Sequence, residues 1–350
     1  MAGSVTEKEI AAQFDVWKGV LEDMDLLRKD VDANFNVREY DEVVFTGAGS
    51  SYHLAEAAAA AFQALTGEAA FALPSSEIVF FHKYRLKKDR KYVAVLFSRS
   101  GATTETLEAL NVLRSNYRVH PAAVSCDPKS PLCAACDSSF PVKNCSEDSN
   151  IMTMSFTGML FVSYMFSIAY GERFTSLTYM DQLPEEGKAS FEWQRRVVDR
   201  VAAEASLERI TVLGGGPFLG LARECALKLD EVALLRTKVY SPLELRHGPH
   251  LGVRAGDLVI LLQSTTAGGL ELTLVEDMKN RGAKILVLAE KADPALDAVA
   301  DYRILAGRGI PEHLRGILYV PFIQQLACQA AEARGIDPDN IPGMTRVVTY

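Results

Sequence analysis

Ser98, Ser100, Thr103 and Thr104 place four hydroxyls within seven residues, around a single glycine, Gly101. The apolar run Tyr92–Leu96 comes before them and reads as a buried parallel strand. Leu107, Leu110 and Leu113 follow at helical spacing. The order is strand, hydroxyl-rich turn, helix start. A helix start presents unpaired backbone N–H groups and the positive end of the helix dipole. Added hydroxyl donors make such a turn suited to a phosphate monoester. A threonine here can also simply cap the helix. Capping needs one hydroxyl, and four are present.

A second group of residues suits proton transfer. Arg223, Glu224, Lys228, Asp230 and Glu231 lie in one helical pattern. Lys228 and Glu231 are three apart and share a face. An i,i+3 pair of this kind is ordinarily a solvated ion pair. Here Ala226, Leu227, Leu229, Val232 and Ala233 surround it, so much of the helix is apolar. A partly buried glutamate can have a raised pKa and act as a proton shuttle. The following loop, Tyr240 to His250, puts His247 beside Gly248 and Pro249. His247 is a candidate acid–base group, although a lone histidine is more often structural or exposed than catalytic.

The elements that must hold these groups alternate strand and helix. An amphipathic helical lead-in is expected over residues 6–33, with Ile10, Phe14, Trp17, Leu21, Met24 and Leu27. Strands are expected at 42–46, 69–73, 92–96 and 122–125, and helices at 52–66 and 104–115. The pattern then repeats. Strands are expected at 210–213, 258–262 and 285–288, and helices at 219–235 and 270–281. The turns opening the two halves, at Gly47 and Gly214, lie 167 residues apart. Such a repeat predicts a duplicated α/β unit with two doubly wound parallel sheets, whose ligands sit at the strands' carboxyl ends. The expected division is a lead-in over 1–34, one domain over 35–180 and another over 190–350. A polar linker is expected from Gly171 to about Gly187. The second copy carries Gln263-Ser264-Thr265-Thr266-Ala267 instead of the first hydroxyl spacing, so one phosphate site per chain is expected.

Composition narrows the partners. The chain has 350 residues, 48% apolar and 23% charged, as in soluble globular proteins. A net charge of −8 argues against nucleic acid and anionic membrane surfaces. No apolar run reaches transmembrane length; Met159–Tyr170 is too short and contains Ser163 and Ser167. The N-terminus has no apolar signal-peptide core, so a cytoplasmic location is expected. Cys133 and Cys136 form a lone CxxC among six cysteines, and free thiols rather than a zinc site are expected. Dinucleotide binding is not expected, because GxGxxG stays incomplete at Gly47-x-Gly49-x-x-Tyr52 and at Gly214-x-Gly216-x-x-Leu219.

Four stretches together resemble the sugar isomerase (SIS) family, from about residue 35 to the C-terminus. They are Gly47–Ser51, Ser98–Thr103, Ala226–Glu231 and Glu244–Pro249. The last two are similar to motifs of the isomerase domain of glucosamine-6-phosphate synthase. The resemblance implies two tandem flavodoxin-like SIS modules. It implies that Glu231 moves a proton between C1 and C2, that His247 assists ring opening, and that Lys228 shares their site. Gly49, Ser50, Ser51, Ser98, Arg99, Ser100, Thr103 and Arg346 are the implied phosphosugar contacts. A homodimer is implied, the histidine loop reaching the partner's site, and no metal or cofactor is implied. The chain departs from the synthase in two ways. The glutamine-hydrolysing domain is expected to be absent, as no nucleophilic cysteine follows Met1. Arg346 replaces a lysine, and arginine is a poor Schiff-base nucleophile. Both Arg346-Val347-Val348 and Asn150–Thr157 look more like the stand-alone branch of tagatose- and galactosamine-6-phosphate isomerases and deaminases.

The leading expectation is therefore an isomerase or isomerising deaminase of a hexose or 2-amino-hexose 6-phosphate. The alternatives are a fructosamine-6-phosphate deglycase and a non-catalytic phosphosugar sensor.

Overall fold

The computed structural model describes residues 3–35, 39–204 and 207–346. The chain divides into two compact units. One comprises Ala12–Asp181 and the C-terminal segment from Gly343; the other comprises the chain up to Ala11 and Gln182–Pro342.

The unit around Ala12–Asp181 holds five parallel strands: β1 (Glu42–Gly47), β2 (Ala70–Pro74), β3 (Lys91–Phe97), β4 (Arg118–Val124) and β5 (Ser138–Ser139). Their order is β2-β1-β3-β4-β5. The second unit holds β6 (Arg209–Leu213), β7 (Arg236–Tyr240), β8 (Leu258–Leu262), β9 (Lys284–Ala289) and β10 (Tyr302–Leu305). Read in the matching direction, its order is β7-β6-β8-β9-β10, again all parallel. Each sheet thus has the doubly wound 2-1-3-4-5 order of flavodoxin-like folds. The two begin at Glu42 and Arg209, an offset of 167 residues, so the duplication read from the glycine turns is present in the strand order.

Alternation along the strands explains why helices cover both faces. Val44, Tyr92, Ala94 and Leu96 face one way and pack against Ile78, Ala109, Leu110 and Leu113. These come from the helices Ser75–Arg85 and Thr104–Asn116. Phe45 and Phe97 face the other way. Phe45 meets Phe62 at 5.6 Å between ring centroids, and Phe62 stacks on Phe166. Each such buried ring contributes on the order of 2 kcal/mol relative to exposure. In the second unit Val259, Leu261, Ile285 and Val287 pack against Leu274, Val275 and Met278 of the helix Gly268–Asn280. Ile210, Val212, Ile260 and Leu286, which alternate with them, are buried as well. The helices Leu183–Glu204, Leu219–Ala233 and Val320–Ala333 pack together in the same unit.

Met159–Tyr170 belongs to the helix Met154–Tyr170, every residue of which is buried. Its hydroxyls are absorbed internally: Ser163 Oγ donates to Leu160 O and Ser167 Oγ to Ser163 O, both at 2.7 Å. Among the described residues no helix is long and apolar enough to cross a membrane. The stretch read as a linker, 171–187, is more ordered than its composition suggests. It contains the helix Leu177–Met180 and the start of Leu183–Glu204, in which Leu183, Pro184 and Gly187 are buried. All six cysteines are free thiols.

Candidate functional site

In the 2-1-3-4-5 order the chain winds outward in opposite directions from β1 and β3, which lie side by side. The crevice beyond the carboxyl ends of two such strands is where doubly wound sheets take ligands. Two turns open there: 48–49, after β1, and 98–103, after β3.

The 98–103 turn is built on its own hydroxyls. Ser98 is buried, and its Oγ accepts from the Gly101 N–H at 3.0 Å and lies 3.1 Å from Thr103 Oγ1. Ser100 Oγ accepts from the Ala102 N–H at 3.2 Å. Gly101 has φ +59°, and a Cβ there would run into Ser130, so the position is reserved for glycine on both counts. Thr103 occupies the N-cap position of the helix Thr104–Asn116, yet its side chain makes no capping bond and turns to Ser98. The capping role considered for it is therefore not the one its hydroxyl takes. A half-buried turn with a helix dipole behind it and hydroxyls arrayed along it is a competent receptor for a dianionic phosphate.

Arg99 is placed differently from the expectation. Its side chain is buried, and its terminal nitrogens donate to protein oxygens. Nη1 donates to Glu147 Oε2 and Ile151 O, both at 2.9 Å, and Nη2 donates to Asn150 O at 2.8 Å and Arg346 O at 3.3 Å. The physical reason is Glu147, a fully buried carboxylate that requires a cation. Glu147 also accepts from the N–H and hydroxyl of both Thr153 and Ser155, at 2.6–3.0 Å. Arg99 thus ties the turn to the segment that leads into the helix Met154–Tyr170. The same guanidinium brings Arg346 close to the turn through its carbonyl, while the Arg346 side chain is exposed.

In the other turn Gly49 has φ +57°, which favours glycine, and it precedes the helix Ser50–Thr66. Ser50 and Ser51 open that helix and are buried. The Ser51 N–H donates back to Ala48 O at 3.1 Å.

The second unit carries the charged helix, Leu219–Ala233. Lys228 forms ion pairs with Glu224, at 3.2 Å, and with Glu231 Oε1. The pair is not a solvated one: the Lys228 side chain is 1% exposed, that of Glu224 0% and that of Glu231 22%. Burial works against the ammonium, but Glu224 and then Glu231 outweigh it, and the Lys228 pKa is raised. Of the three, Glu231 is the one a ligand can reach. His247 lies on a separate exposed turn after the short helix Pro242–Leu245, its N–H donating to Glu244 O at 3.1 Å. Gly248, with φ +112°, sets the chain reversal behind it.

The turn after β8, equivalent to 98–103, is already filled by an anion from within the unit. Glu312 accepts from Ser264 Oγ at 2.9 Å, Thr265 N at 3.0 Å, Thr265 Oγ1 at 3.1 Å and Thr266 Oγ1 at 2.9 Å. Burial raises the Glu312 pKa, but these bonds, led by Ser264 and Thr266, outweigh it and hold the carboxyl below its ordinary range. One turn of the duplicated pair thus has its hydroxyls committed to a carboxylate, and the other does not.

Sequence reading missed Glu147, Glu312 and the depth of Glu224. Glu224 had a visible signal, four residues before Lys228 on the same face. Glu147 and Glu312 lie outside the periodic stretches, and only the folded chain brings Glu147 to Arg99 and Glu312 to the turn at Ser264–Thr266.

The comparisons agree with this geometry. The SIS domain model matches residues 37–169 and 205–329. The glutamine–fructose-6-phosphate aminotransferase (isomerizing) of Methanothermobacter thermautotrophicus is 24% identical over 314 residues, 89% of this chain and 52% of that protein. The chain spans about half the length of the curated relatives it matches. Tagatose-6-phosphate ketose/aldose isomerase from Escherichia coli has the same fold, with TM-score 0.86 and 23% identity over 99% of this chain and 97% of that one. Glucosamine-6-phosphate deaminase from Thermotoga maritima superposes with TM-score 0.74 and 26% identity, covering 96% and 99%. Two copies of the domain, each on its own doubly wound sheet, make the chain a member of the SIS-domain family.

Proposed function

We propose that this chain is an aldose–ketose isomerase, or an isomerising deaminase, of a hexose or 2-amino-hexose 6-phosphate. The observation that carries the reading is the Lys228–Glu231 pair: a carboxylate open to a ligand, backed by a buried ammonium. A carboxylate held this way suits the transfer of a proton between adjacent carbons.

The phosphate is held by Ser98, Ser100, Thr103 and the N–H groups at the start of the helix Thr104–Asn116. Ser51, with Gly49 and Ser50, lines the neighbouring turn. Arg99 shapes the first turn through Glu147 and does not itself bind phosphate. His247 moves the ring-opening proton between O1 and O5. Glu231 removes the C2 proton of the open-chain aldose and returns it at C1, through an enediol or, with an amino sugar, an enolamine. Charge develops on the O1 oxyanion in that step and needs a nearby cation. Lys228 is the buried cation of that helix, and Arg346 is the exposed guanidinium beside the phosphate turn. With an amino sugar the C2 imine is then hydrolysed, releasing ammonia. The likeness to the Thermotoga maritima deaminase favours that branch.

The protein works as a homodimer in this reading. Leu243 and Leu251, 40% and 68% exposed, flank His247 and give that loop an apolar rim suited to a second copy. The test is incubation with glucosamine, galactosamine and fructose 6-phosphates in deuterated water. Deuterium at C1 or C2 supports the proton shuttle, and ammonia identifies the deaminase. Tight binding without exchange points to a phosphosugar sensor instead.

A further inference from the structure

We infer that Glu224 is a positioning residue whose fixed negative charge allows Glu231 to take up and release a proton beside a buried lysine. The inference rests on reading Glu231 as the base.

The three side chains form one stripe of a single helix, Glu224 four residues before Lys228 and Glu231 three after it. Glu224 is fully buried and Lys228 nearly so. When Glu231 accepts a proton it stops being a counter-ion. If it were the sole partner, Lys228 would then be a buried cation with no compensating charge, a state that is strongly unfavourable. That cost would fall on the catalytic step itself, making Glu231 a weak base. Glu224 removes it. The triad carries one net negative charge at rest and none once Glu231 is protonated, so Lys228 is paired in both states.

Among the described residues, the charges that raise the Lys228 pKa are those of Glu224 and then Glu231. Cys225, on the same helix, is a buried thiol whose pKa burial pushes up, so it stays neutral. The packed helix Val320–Ala333 buries only uncharged side chains, Gln324 and Gln325 among them. The packed strands β6 and β7 contribute Arg209, Arg236 and Lys238, all at exposed positions.

The test is 13C NMR titration of the glutamate carboxyls in the full-length protein, with the Glu231 signal identified by its loss in Glu231→Gln. In Glu224→Gln the Glu231 midpoint moves to lower pH than in wild type, and Glu224→Asp restores most of the shift. Far-UV circular dichroism verifies folding, and Glu224→Met, which also removes the charge, serves if the glutamine variant does not fold. An unmoved midpoint in Glu224→Gln, or in Glu224→Met when the glutamine variant does not fold, overturns the inference. Turnover gives the second readout: kcat falls about 10- to 100-fold in Glu224→Gln with KM nearly unchanged. Full activity in Glu224→Gln alongside an inactive Glu231→Gln rejects the role of Glu224 alone. Full activity in Glu231→Gln rejects the reading of Glu231 as the base.

Discussion

Replacing Arg99 with methionine separates a scaffold from a ligand. Arg99 follows the first serine of the 98–103 turn, where a cation is readily read as a phosphate contact. The structure instead gives it four protein acceptors, one of them the fully buried Glu147. Methionine keeps much of the length and removes the charge. Glu147 Oε2 would keep only the Ser155 hydroxyl, Asn150 O and Arg346 O would lose the Arg99 donor, and Ile151 O would keep only the Ser149 hydroxyl at 3.4 Å. Removing one member of a buried ion pair costs about 3–5 kcal/mol. The lower end applies here, because three other donors on Thr153 and Ser155 remain on Oε1. Arg99→Met is therefore expected to lose about 3 kcal/mol in urea unfolding at pH 7. Glu147→Gln added to it removes the stranded charge and recovers part of that loss, giving a coupling of about 1–3 kcal/mol in the double-mutant cycle. Arg99→Lys restores charge without the fork and falls between. Phosphosugar affinity, measured by calorimetry where the variant is folded, changes little. Unchanged stability together with affinity reduced tenfold or more would refute the scaffold role and return Arg99 to the phosphate.

Two further predictions concern stability. Burial pushes the Glu271 carboxyl up to about 7, with the nearby Glu312 charge adding to it and the Ser264 N–H opposing it. A carboxyl with a raised folded-state pKa binds its proton more tightly in the native state. Stability is then lost as pH rises from about 4.5 to about 7, by up to about 3 kcal/mol. Glu271→Gln keeps an acceptor for Ser264, so it should match wild type near pH 4 and exceed it at pH 8 in urea unfolding. Parallel pH profiles would contradict this. Leu234 ends the helix Leu219–Ala233 in the left-handed region, φ +52° and ψ 42°, and is 58% exposed. Leu234→Gly removes that strain at little loss of burial and should stabilise by about 0.5–1 kcal/mol, read as a raised urea midpoint.

Central strands were legible because both of their faces are buried. Val43–Phe45, Val93–Phe97, Leu258–Leu262 and Ile285–Ala289 are nearly continuous apolar runs, as parallel strands between helices must be. Of the edge strands β2 was read, at 69–73, but β5, β7 and β10 were not. β5 is two serines, and β7, Arg236–Tyr240, is half polar because only one neighbour covers it. The helix Ser75–Arg85 was also silent, since Phe80, Phe81 and Tyr84 are exposed and blur its apolar stripe. The site divides in the same way. Ser98, Ser100, Thr103, Lys228 and Glu231 are close in sequence and announce themselves by spacing. The partners that decide what those groups can do are distant along the chain: Glu147, for Arg99, from a loop, and Glu312, for the second turn, from the start of the short helix Glu312–Arg315.

The most direct test of the proton shuttle is solvent exchange with wild type and Glu231→Gln side by side. Each is incubated with glucosamine 6-phosphate, galactosamine 6-phosphate and fructose 6-phosphate in deuterated water and followed by NMR. The account predicts deuterium at C1 or C2 of at least one sugar with wild type. With Glu231→Gln it predicts exchange lowered by at least about 100-fold while phosphosugar binding persists. Exchange that survives in Glu231→Gln, or no exchange of any of the three by wild type, would contradict it.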